Sequence, residues 1–282
     1  MEKIDKFYEA KSLMQCPKCK KKIRFHAGAL VCKKEHTFDI AAKGYVNLLQ
    51  QTKAFKGYDS SFFKSRRAFF GAGYYSHIVA EVVDTVGCLF DGADELVVLD
   101  AGCGEGGYSV ALEHVLADSG KKAQILSFDI AADAIKVAAG NDNVKWMIAD
   151  ITNIPVKDDA ADCILDVFTP ANYKEFDRVL KADGYLIKVV PGSAHLQELR
   201  EAVRSQLQNK DYSNEEVTDY FEEHYELVSR VKCTRTKEID EKNLEHLVCM
   251  TPLLFDVDKS KLDLSVVKEI TIEGEVLVGR KK

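Results

Sequence analysis

The stretch that decides the fold spans residues 95–108 and reads ELVVLDAGCGEGGY. Its apolar part, residues 96–99, contains two β-branched residues and predicts a short buried strand. The glycine-rich part predicts a tight turn, because glycine adopts left-handed backbone angles and lets a ligand approach the main chain closely. Residues 108–116 then predict a helix. A glycine-rich turn between a strand and a helix is typical of a nucleotide-type site, although this signal is weak on its own.

Further predicted strands follow this turn and alternate with predicted helices. The strands cover residues 124–128, 144–148, 162–168 and 185–190, and the helices cover residues 132–139, 174–180 and 193–208. Such alternation predicts an α/β fold with a parallel, doubly wound sheet. Ligands bind a sheet of this kind at the carboxyl ends of its strands, which is where the polar residues of this sequence fall.

Aspartates stand at the ends of the first three predicted strands: Asp100, Asp129 and Asp150. Asp129 lies where a carboxylate accepts both hydroxyls of a ribose, an arrangement that would also serve NAD. An acid that opens the turn repels a pyrophosphate, however, whereas it suits S-adenosylmethionine, which carries an ammonium group and no phosphate. Asp150 is then placed to accept the adenine amino group. A single aspartate is explained as well by a cap or a turn, but three at successive strand ends favour S-adenosylmethionine.

A second motif lies upstream, where three of the eight cysteines are followed by a histidine in the spacing C-x2-C-x12-C-x3-H. Its members are Cys16, Cys19, Cys32 and His36. Thiolates and imidazole in this spacing predict a tetrahedral Zn²⁺ site, closed across a hairpin of residues 23–25 and 29–31. Four protein ligands leave no open position, so the site should be structural and the small unit should need its metal to fold. A redox C-x-x-C would leave Cys32 and His36 unexplained, and the competing ligand His26 lies in mid-hairpin.

The charge of the chain is distributed unevenly. Its 282 residues carry a net charge of −6, yet residues 1–70 hold 16 Lys/Arg and 6 Asp/Glu while the rest hold 23 and 39. A basic head on an acidic body favours a nucleic-acid partner, and a merely solubilising surface is the alternative. No run of 18 apolar residues and no apolar signal region occur, so we expect no membrane span and, by default, a cytoplasmic location.

These motifs together resemble the bacterial large-subunit (23S) ribosomal RNA guanine-N1 methyltransferases, which join a zinc-binding head to a class I S-adenosylmethionine-dependent fold. The resemblance runs from about residue 14 to near the end of the chain. The glycine-rich turn would match any class I methyltransferase, whereas the head followed by GYVNLL at residues 44–49 is more specific. Other matching stretches are HTFDIA (36–41), RRAF (66–69), AGYY (72–75), PGSAHL (191–196) and MTP (250–252).

The resemblance implies a domain division and a set of cofactor contacts. It implies a zinc-binding head at residues 1–50, a connector and helical lid at 51–94, and a methyltransferase domain at 95–282 whose sheet ends with an antiparallel strand. It also implies a homodimer and cofactor contacts from Tyr75, Gly104, Glu105 and His195. With the strand-end logic added, the predicted cofactor site comprises Tyr75, Asp100, Gly102, Gly104, Glu105, Asp129, Asp150 and His195.

The activity implied by the resemblance is methyl transfer to N1 of a guanine in a hairpin loop of large-subunit rRNA. Positioning should dominate such a reaction, and the N1 proton must leave before or during attack. We assign no general base; Phe168 and Tyr173 are candidates to stack on the base. Residues 62–70 predict a basic helix that faces either RNA or the cofactor. The alternatives are a small-molecule methyltransferase, which has no use for a basic zinc head, and a non-enzymatic zinc RNA-binding protein.

Overall fold

The structure is a computed structural model that describes residues 5–51, 56–140, 143–207, 213–258 and 262–282. The strands are β1 (Ile23–His26), β2 (Ala29–Cys32), β3 (Thr37–Asp39), β4 (Tyr45–Asn47), β5 (Glu95–Ala101), β6 (Lys122–Asp129), β7 (Lys145–Ile148), β8 (Ala161–Val167), β9 (Leu180–Pro191), β10 (Tyr225–Glu238) and β11 (Glu269–Lys281). The helices are α1 (Lys6–Ala10), α2 (Ser60–Gly71), α3 (Ser76–Leu89), α4 (Gly107–Asp118), α5 (Ala132–Ala138), α6 (Tyr173–Val179), α7 (Gln197–Ala202), α8 (Glu215–His224) and α9 (Glu241–Met250).

Among the described residues, the large sheet has eight strands in the order β10-β11-β9-β8-β5-β6-β7-β4. Neighbours from β9 to β4 are parallel, while β11 is antiparallel to both β9 and β10. From β5, the next strands along the chain, β6 and β7, are added on one side of β5. The chain then crosses back, and β8 and β9 are added on the other side of β5. The switch point therefore lies between β5 and β8, and a crevice forms there at the carboxyl ends of the strands. This topology confirms the predicted α/β fold whose sheet ends with an antiparallel strand.

Apolar side chains alternate across the sheet and create two cores. On β5, Leu96 and Val98 face one core, and Leu99 and Ala101 face the other. The first core also contains the fully buried Trp146 and the apolar faces of α2, α3 and α4. Both faces of the sheet are covered, as a parallel sheet requires.

The second core is shared between the N-terminal segment and the large sheet. Phe7, Leu30 and Phe38 belong to the same buried cluster as Phe128 and Met147. Strand β4 lies within the predicted head, yet it pairs in parallel with β7 and forms the edge of the large sheet. The predicted boundary at residue 50 stays a prediction, but a continuous apolar interface joins the two parts.

One predicted helix is shorter than its sequence pattern suggested. The prediction covered residues 193–208, whereas α7 spans Gln197–Ala202 and is followed by one 3-10 turn at Arg204–Gln206. Residues before α7 are held by β11 instead: the Gly192 amide donates to the Glu273 carbonyl over 3.1 Å, and the Leu196 amide donates to the Thr271 carbonyl over 2.8 Å. Residue 208 lies outside the described residues.

Helices α3 and α8 and strands β3 and β4 had no individual prediction. The segment before β5 contains α2 and α3, and its role as a lid stays a prediction. Between these helices Tyr74 is buried, stacks on Phe69 and donates to the Glu238 carbonyl over 3.0 Å. Within the described ranges, none of the helices is both long and apolar enough to span a membrane.

Candidate zinc centre and cofactor site

The four predicted zinc ligands converge in the structure. Their ligand atoms all lie within 4.8 Å of one another, with Cys16 Sγ and Cys32 Sγ at 3.4 and 3.5 Å from Nδ1 of His36. Cys19 Sγ lies 3.6 Å from Cys32 Sγ. A tetrahedron with metal–sulfur bonds of about 2.3 Å has edges of about 3.8 Å, so these separations suit zinc.

Two tight turns present the ligands. The Lys20 amide donates to the Cys16 carbonyl over 2.8 Å in one turn, and the Glu35 amide donates to the Cys32 carbonyl over 2.9 Å in the other. Lys20 and Glu35 both adopt left-handed backbone angles, φ 55° and 61°, as a reversal of the chain requires. His26 lies in the β1–β2 hairpin, outside the cluster found among the described residues.

The glycine-rich turn after β5 is shaped by its glycines. Gly102, Gly104 and Gly106 have φ values of 75°, 57° and 83°. The amides of Gly102 and Cys103 both donate to the Phe128 carbonyl, over 2.8 and 3.0 Å, which holds the turn against the end of β6. A Cβ at Gly106 would lie 2.3 Å from the Trp146 ring, so a side chain is excluded by space as well as by backbone angle.

We expect Gly106→Ala to lower the melting temperature strongly, because the added methyl must displace the fully buried Trp146. Overpacking of a core costs about 1–3 kcal/mol, and the left-handed backbone adds about 1 kcal/mol. Gly120→Ala is the matched control, since Gly120 has φ 74° and open space around its Cβ position. Both variants carry the backbone cost, but only Gly106→Ala carries the steric cost, so its melting temperature should fall further than that of Gly120→Ala. Equal decreases in the two melting temperatures would contradict the steric explanation.

Asp129 lies at the carboxyl end of β6 and is oriented by the turn. One carboxylate oxygen accepts from the Gly104 amide over 3.0 Å and the other accepts from the Ala131 amide over 2.8 Å. Burial raises the pKa of Asp129, although these two amides oppose that shift. A carboxylate has about four acceptor positions, so two remain for a pair of hydroxyl donors. The residue therefore fits the ribose contact predicted for it.

Asp100 and Asp150 lie outside the described lining of the cavity beside Asp129. Asp100 is buried under the turn, where it accepts a hydrogen bond from the Ser109 hydroxyl, and burial raises its pKa to about 7. Asp150 accepts from the amide and the hydroxyl of Thr152 over 2.9 and 2.7 Å. Their predicted cofactor contacts stay predictions, because the Asp100 carboxylate bonds to Ser109 beneath the turn and the Asp150 carboxylate bonds to the nearby Thr152.

Arg66 on α2 points toward the glycine-rich turn, while the choice between RNA and the cofactor for residues 62–70 stays a prediction. Its Nε lies 2.7 Å from Oε2 of Glu105, and its guanidinium lies over Gly104. Glu105 is almost fully buried, and burial raises its pKa. A buried carboxylate needs a charged partner, so α2 is anchored on the turn by this ion pair.

Two adjacent cavities open at the carboxyl ends of the strands. The first, of about 440 Å³, is lined by Gly102, Gly104 and Asp129 together with an apolar wall that includes Ile130 and Ala149. The second, of about 370 Å³, is lined by Tyr75 and His195. Three residues line both cavities: Arg66, Phe168 and Pro252. Five of the predicted site residues thus line neighbouring halves of one cleft, whereas Asp100, Glu105 and Asp150 are absent from the described lining of both cavities.

His195 is held as a neutral hydrogen-bond donor. Its Nδ1 accepts from the Glu273 amide over 3.2 Å, which leaves the ring proton on Nε2. Burial lowers its pKa to about 4, so the ring is uncharged at neutral pH. The Phe168 ring stacks on it with a centroid distance of 5.7 Å.

Sequence reasoning named Phe168 only as a candidate to stack on the target base, and it missed Tyr58 and Phe63. Phe168 directly follows β8 and has φ 54°, a costly angle for an aromatic residue and a frequent feature of functional sites. Tyr58 and Phe63 line the first cavity from the lid side. No motif marks such residues, because only the tertiary packing of α2 brings them over the sheet.

Comparisons with known proteins cover both parts of the chain. Residues 93–246 match a family model described as a methyltransferase domain, and residues 14–54 match the model described as the N-terminal region of RlmA, a zinc ribbon. A chain from the Haloferax volcanii Trm112 methyltransferase-activator complex has the same fold, with a TM-score of 0.50 and 14% identity over 81% of this chain and 99% of that one.

Two curated relatives are similar over almost their whole length. One, from Bacillus subtilis (strain 168), is named "Putative 23S rRNA (guanine-N(1)-)-methyltransferase YxjB" and is 32% identical over 96% of this chain and 98% of its own. The other is the 23S rRNA (guanine(748)-N(1))-methyltransferase of Streptomyces fradiae, which is 28% identical over 95% of this chain and 96% of its own.

Proposed function

Because this chain belongs to the family of 23S rRNA guanine-N1 methyltransferases, we propose that it transfers the methyl group of S-adenosylmethionine to N1 of a guanine in a hairpin loop of large-subunit rRNA. The observation that carries the proposal is the cleft at the switch point, where Asp129 and the glycine-rich turn meet Arg66 of the lid. A zinc-ligand cluster on the same chain supports RNA over a small molecule as the substrate.

The described residues fit S-adenosylmethionine. Asp129 would accept the ribose hydroxyls, and the apolar wall with Ile130 and Ala149 would cover the adenine. Arg66 lines both cavities, and its Nε pairs with Glu105, so its other guanidinium N–H groups would donate to the carboxylate of the methionine part. When bound, the cofactor supplies an electrophilic methyl group on a sulfonium.

The protein's own residues act mainly by position and by exclusion of water. Neutral His195 offers an Nε2 donor without adding a positive charge beside a sulfonium. Phe168 lies between the two cavities and keeps the cleft apolar at the point where they meet. Such placement lowers the barrier by holding the reacting atoms in line.

The basic N-terminal segment supplies the phosphate-facing charge in this proposal. The zinc ion would be structural, held by Cys16, Cys19, Cys32 and His36, and would take no part in the chemistry. A cytoplasmic location, which was expected by default, remains a prediction, and so does the homodimer that grips one RNA, which the family resemblance implies.

The experiment that tests the proposal supplies labelled S-adenosylmethionine with two acceptors: total rRNA from a strain that lacks the enzyme, and a small-molecule extract from the same cells. We expect label in the rRNA only. Label in the small-molecule fraction would favour the small-molecule methyltransferase, and rRNA binding without transfer would favour the non-enzymatic alternative.

A further inference from the structure

A third cavity lies beside the cofactor cleft. It is a groove of about 560 Å³ between α8 and the carboxyl ends of β8 and β9. We refer to it as the α8 groove, and its lining includes Pro170, Tyr173, Lys188, Pro191, Val217 and Tyr220. Residues 168–170 line both the α8 groove and the Asp129 cavity. A molecule in the groove and a cofactor in the cleft would therefore contact the same short segment.

The walls of the α8 groove suit a flat aromatic ring. Tyr220 is 53% exposed although it is a large aromatic residue, and its ring centroid lies 5.3 Å from that of the buried Tyr173. Val217, one turn away on α8, is exposed as well. Unstacked RNA bases are recognised by stacking on aromatic side chains of this kind.

The polar side chains that line the groove include Thr169, Glu216 and a buried lysine, Lys188, which is paired with a carboxylate. Lys188 Nζ donates to Asp166 Oδ2 over 2.7 Å and to the Thr169 carbonyl over 3.1 Å, and its side chain is 4% exposed. An ammonium has three N–H donors, so one remains after these two contacts. Buried ion pairs contribute little to the stability of a fold. Asp166 Oδ1 also has no hydrogen-bond partner among the described residues. A contribution to stability therefore does not explain why Lys188 and Asp166 are paired here.

A donor of this kind distinguishes among the bases. Guanine presents acceptors at O6 and N7, whereas adenine presents an amino donor at the corresponding position. The remaining N–H of Lys188 would pair with O6 and oppose an adenine amino group. Asp166 neutralises the lysine, which makes the groove a weak site for a phosphate and a good one for a neutral carbonyl.

We propose that the α8 groove binds the target guanine, with Lys188 donating a hydrogen bond to O6 and Tyr220 covering one face of the ring. This inference rests on the proposed function and names the site of its substrate. In the reaction the N1–H bond breaks and its proton passes to water. The electron pair on N1 then forms the bond to the methyl carbon, and the pair of the broken carbon–sulfur bond stays on sulfur. The hydrogen bond from the remaining N–H of Lys188 to O6 would strengthen as electron density shifts onto O6 in the transition state.

The stacking part is tested with Tyr220→Ala and an rRNA hairpin that the wild type methylates. Loss of one base–aromatic stack should raise KM for RNA by about tenfold while the affinity for S-adenosylmethionine is unchanged. Tyr220→Phe keeps the aromatic ring, so its KM for RNA should lie close to that of the wild type. Val115→Ala, at an exposed helical position on α4 outside the described lining of the groove, should behave as the wild type. Wild-type KM in Tyr220→Ala would overturn the proposal.

The lysine is tested with the double variant Asp166→Asn/Lys188→Met, because Lys188→Met alone would leave a buried carboxylate unpaired. We expect kcat to fall by about a hundredfold and the pH–rate profile to shift to higher pH. The reason is that N1 would lose its proton without the hydrogen bond from Lys188 to O6. An unchanged pH–rate profile and kcat would overturn the proposal. Inhibition of the wild type by inorganic phosphate that disappears in the double variant would also overturn it, as it would indicate an anion site. If the wild type methylates no RNA, the proposed function itself fails; if it does so and the variants match it, only the groove assignment fails.

Discussion

Replacing Cys16 and Cys19 together by serine should release the zinc ion and lower the melting temperature of the whole chain, not of the N-terminal segment alone. Two remaining ligands cannot hold the ion. Apparent binding energies of structural zinc in finger peptides are about 10–16 kcal/mol, as large as the stability of a whole domain of about 5–15 kcal/mol. The reason for a global effect is the shared core, where Leu30 and Phe38 pack with Phe128 and Met147 under the large sheet.

Metal analysis and calorimetry of the purified variant test this expectation. Cys88→Ser is the matched control, because Cys88 is exposed on α3 and remote from the cluster. Zinc content and melting temperature should be unchanged in the control. A zinc-free double variant that melts as the wild type does, or in two separate transitions, would contradict the view that head and sheet share one core.

Asp129→Ala should weaken the binding of S-adenosylmethionine by tenfold or more. Hydrogen bonds to a charged group are worth about 1.5–3 kcal/mol each, and this carboxylate would accept two from the ribose. The variant also removes the acceptor of the Gly104 amide, which loosens the glycine-rich turn. Both effects act on the cofactor, so calorimetric titration with S-adenosylmethionine is the direct measurement.

Asp150→Ala provides the comparison, because Asp150 follows the neighbouring strand but lies outside the described cavity lining and bonds to Thr152. Its effect on cofactor affinity should be much smaller. Equal effects from the two aspartates would restore Asp150 to the adenine contact predicted from the sequence. Unchanged affinity in Asp129→Ala would exclude the ribose assignment.

Features encoded locally were predictable from the sequence. The strand, turn and helix around Gly102–Gly106 follow from apolar runs and glycines within fourteen residues, and the zinc ligands follow from their spacing. Asp129 was placed by the same reasoning, since strand ends of a parallel sheet meet at one edge.

Features that depend on distant packing were not predictable. Arg66 finds Glu105 only because α2 folds across the sheet, and β4 joins β7 only because the second core draws the N-terminal segment beneath it. The helix predicted from residue 193 begins later because β11, about 80 residues away, takes the hydrogen bonds of residues 192 and 196. A one-dimensional pattern contains no signal for such partners.

Transfer to guanine N1 is tested by mapping the methylated position after reaction of the wild type with S-adenosylmethionine and unmodified rRNA. A methyl group on N1 replaces the proton that guanine donates in Watson–Crick pairing, so reverse transcription should stop beside one guanine of a hairpin loop, and nuclease digestion should release N1-methylguanosine. We expect a single such stop in large-subunit rRNA. Transfer to another atom, to another base or to no RNA at all would contradict the account.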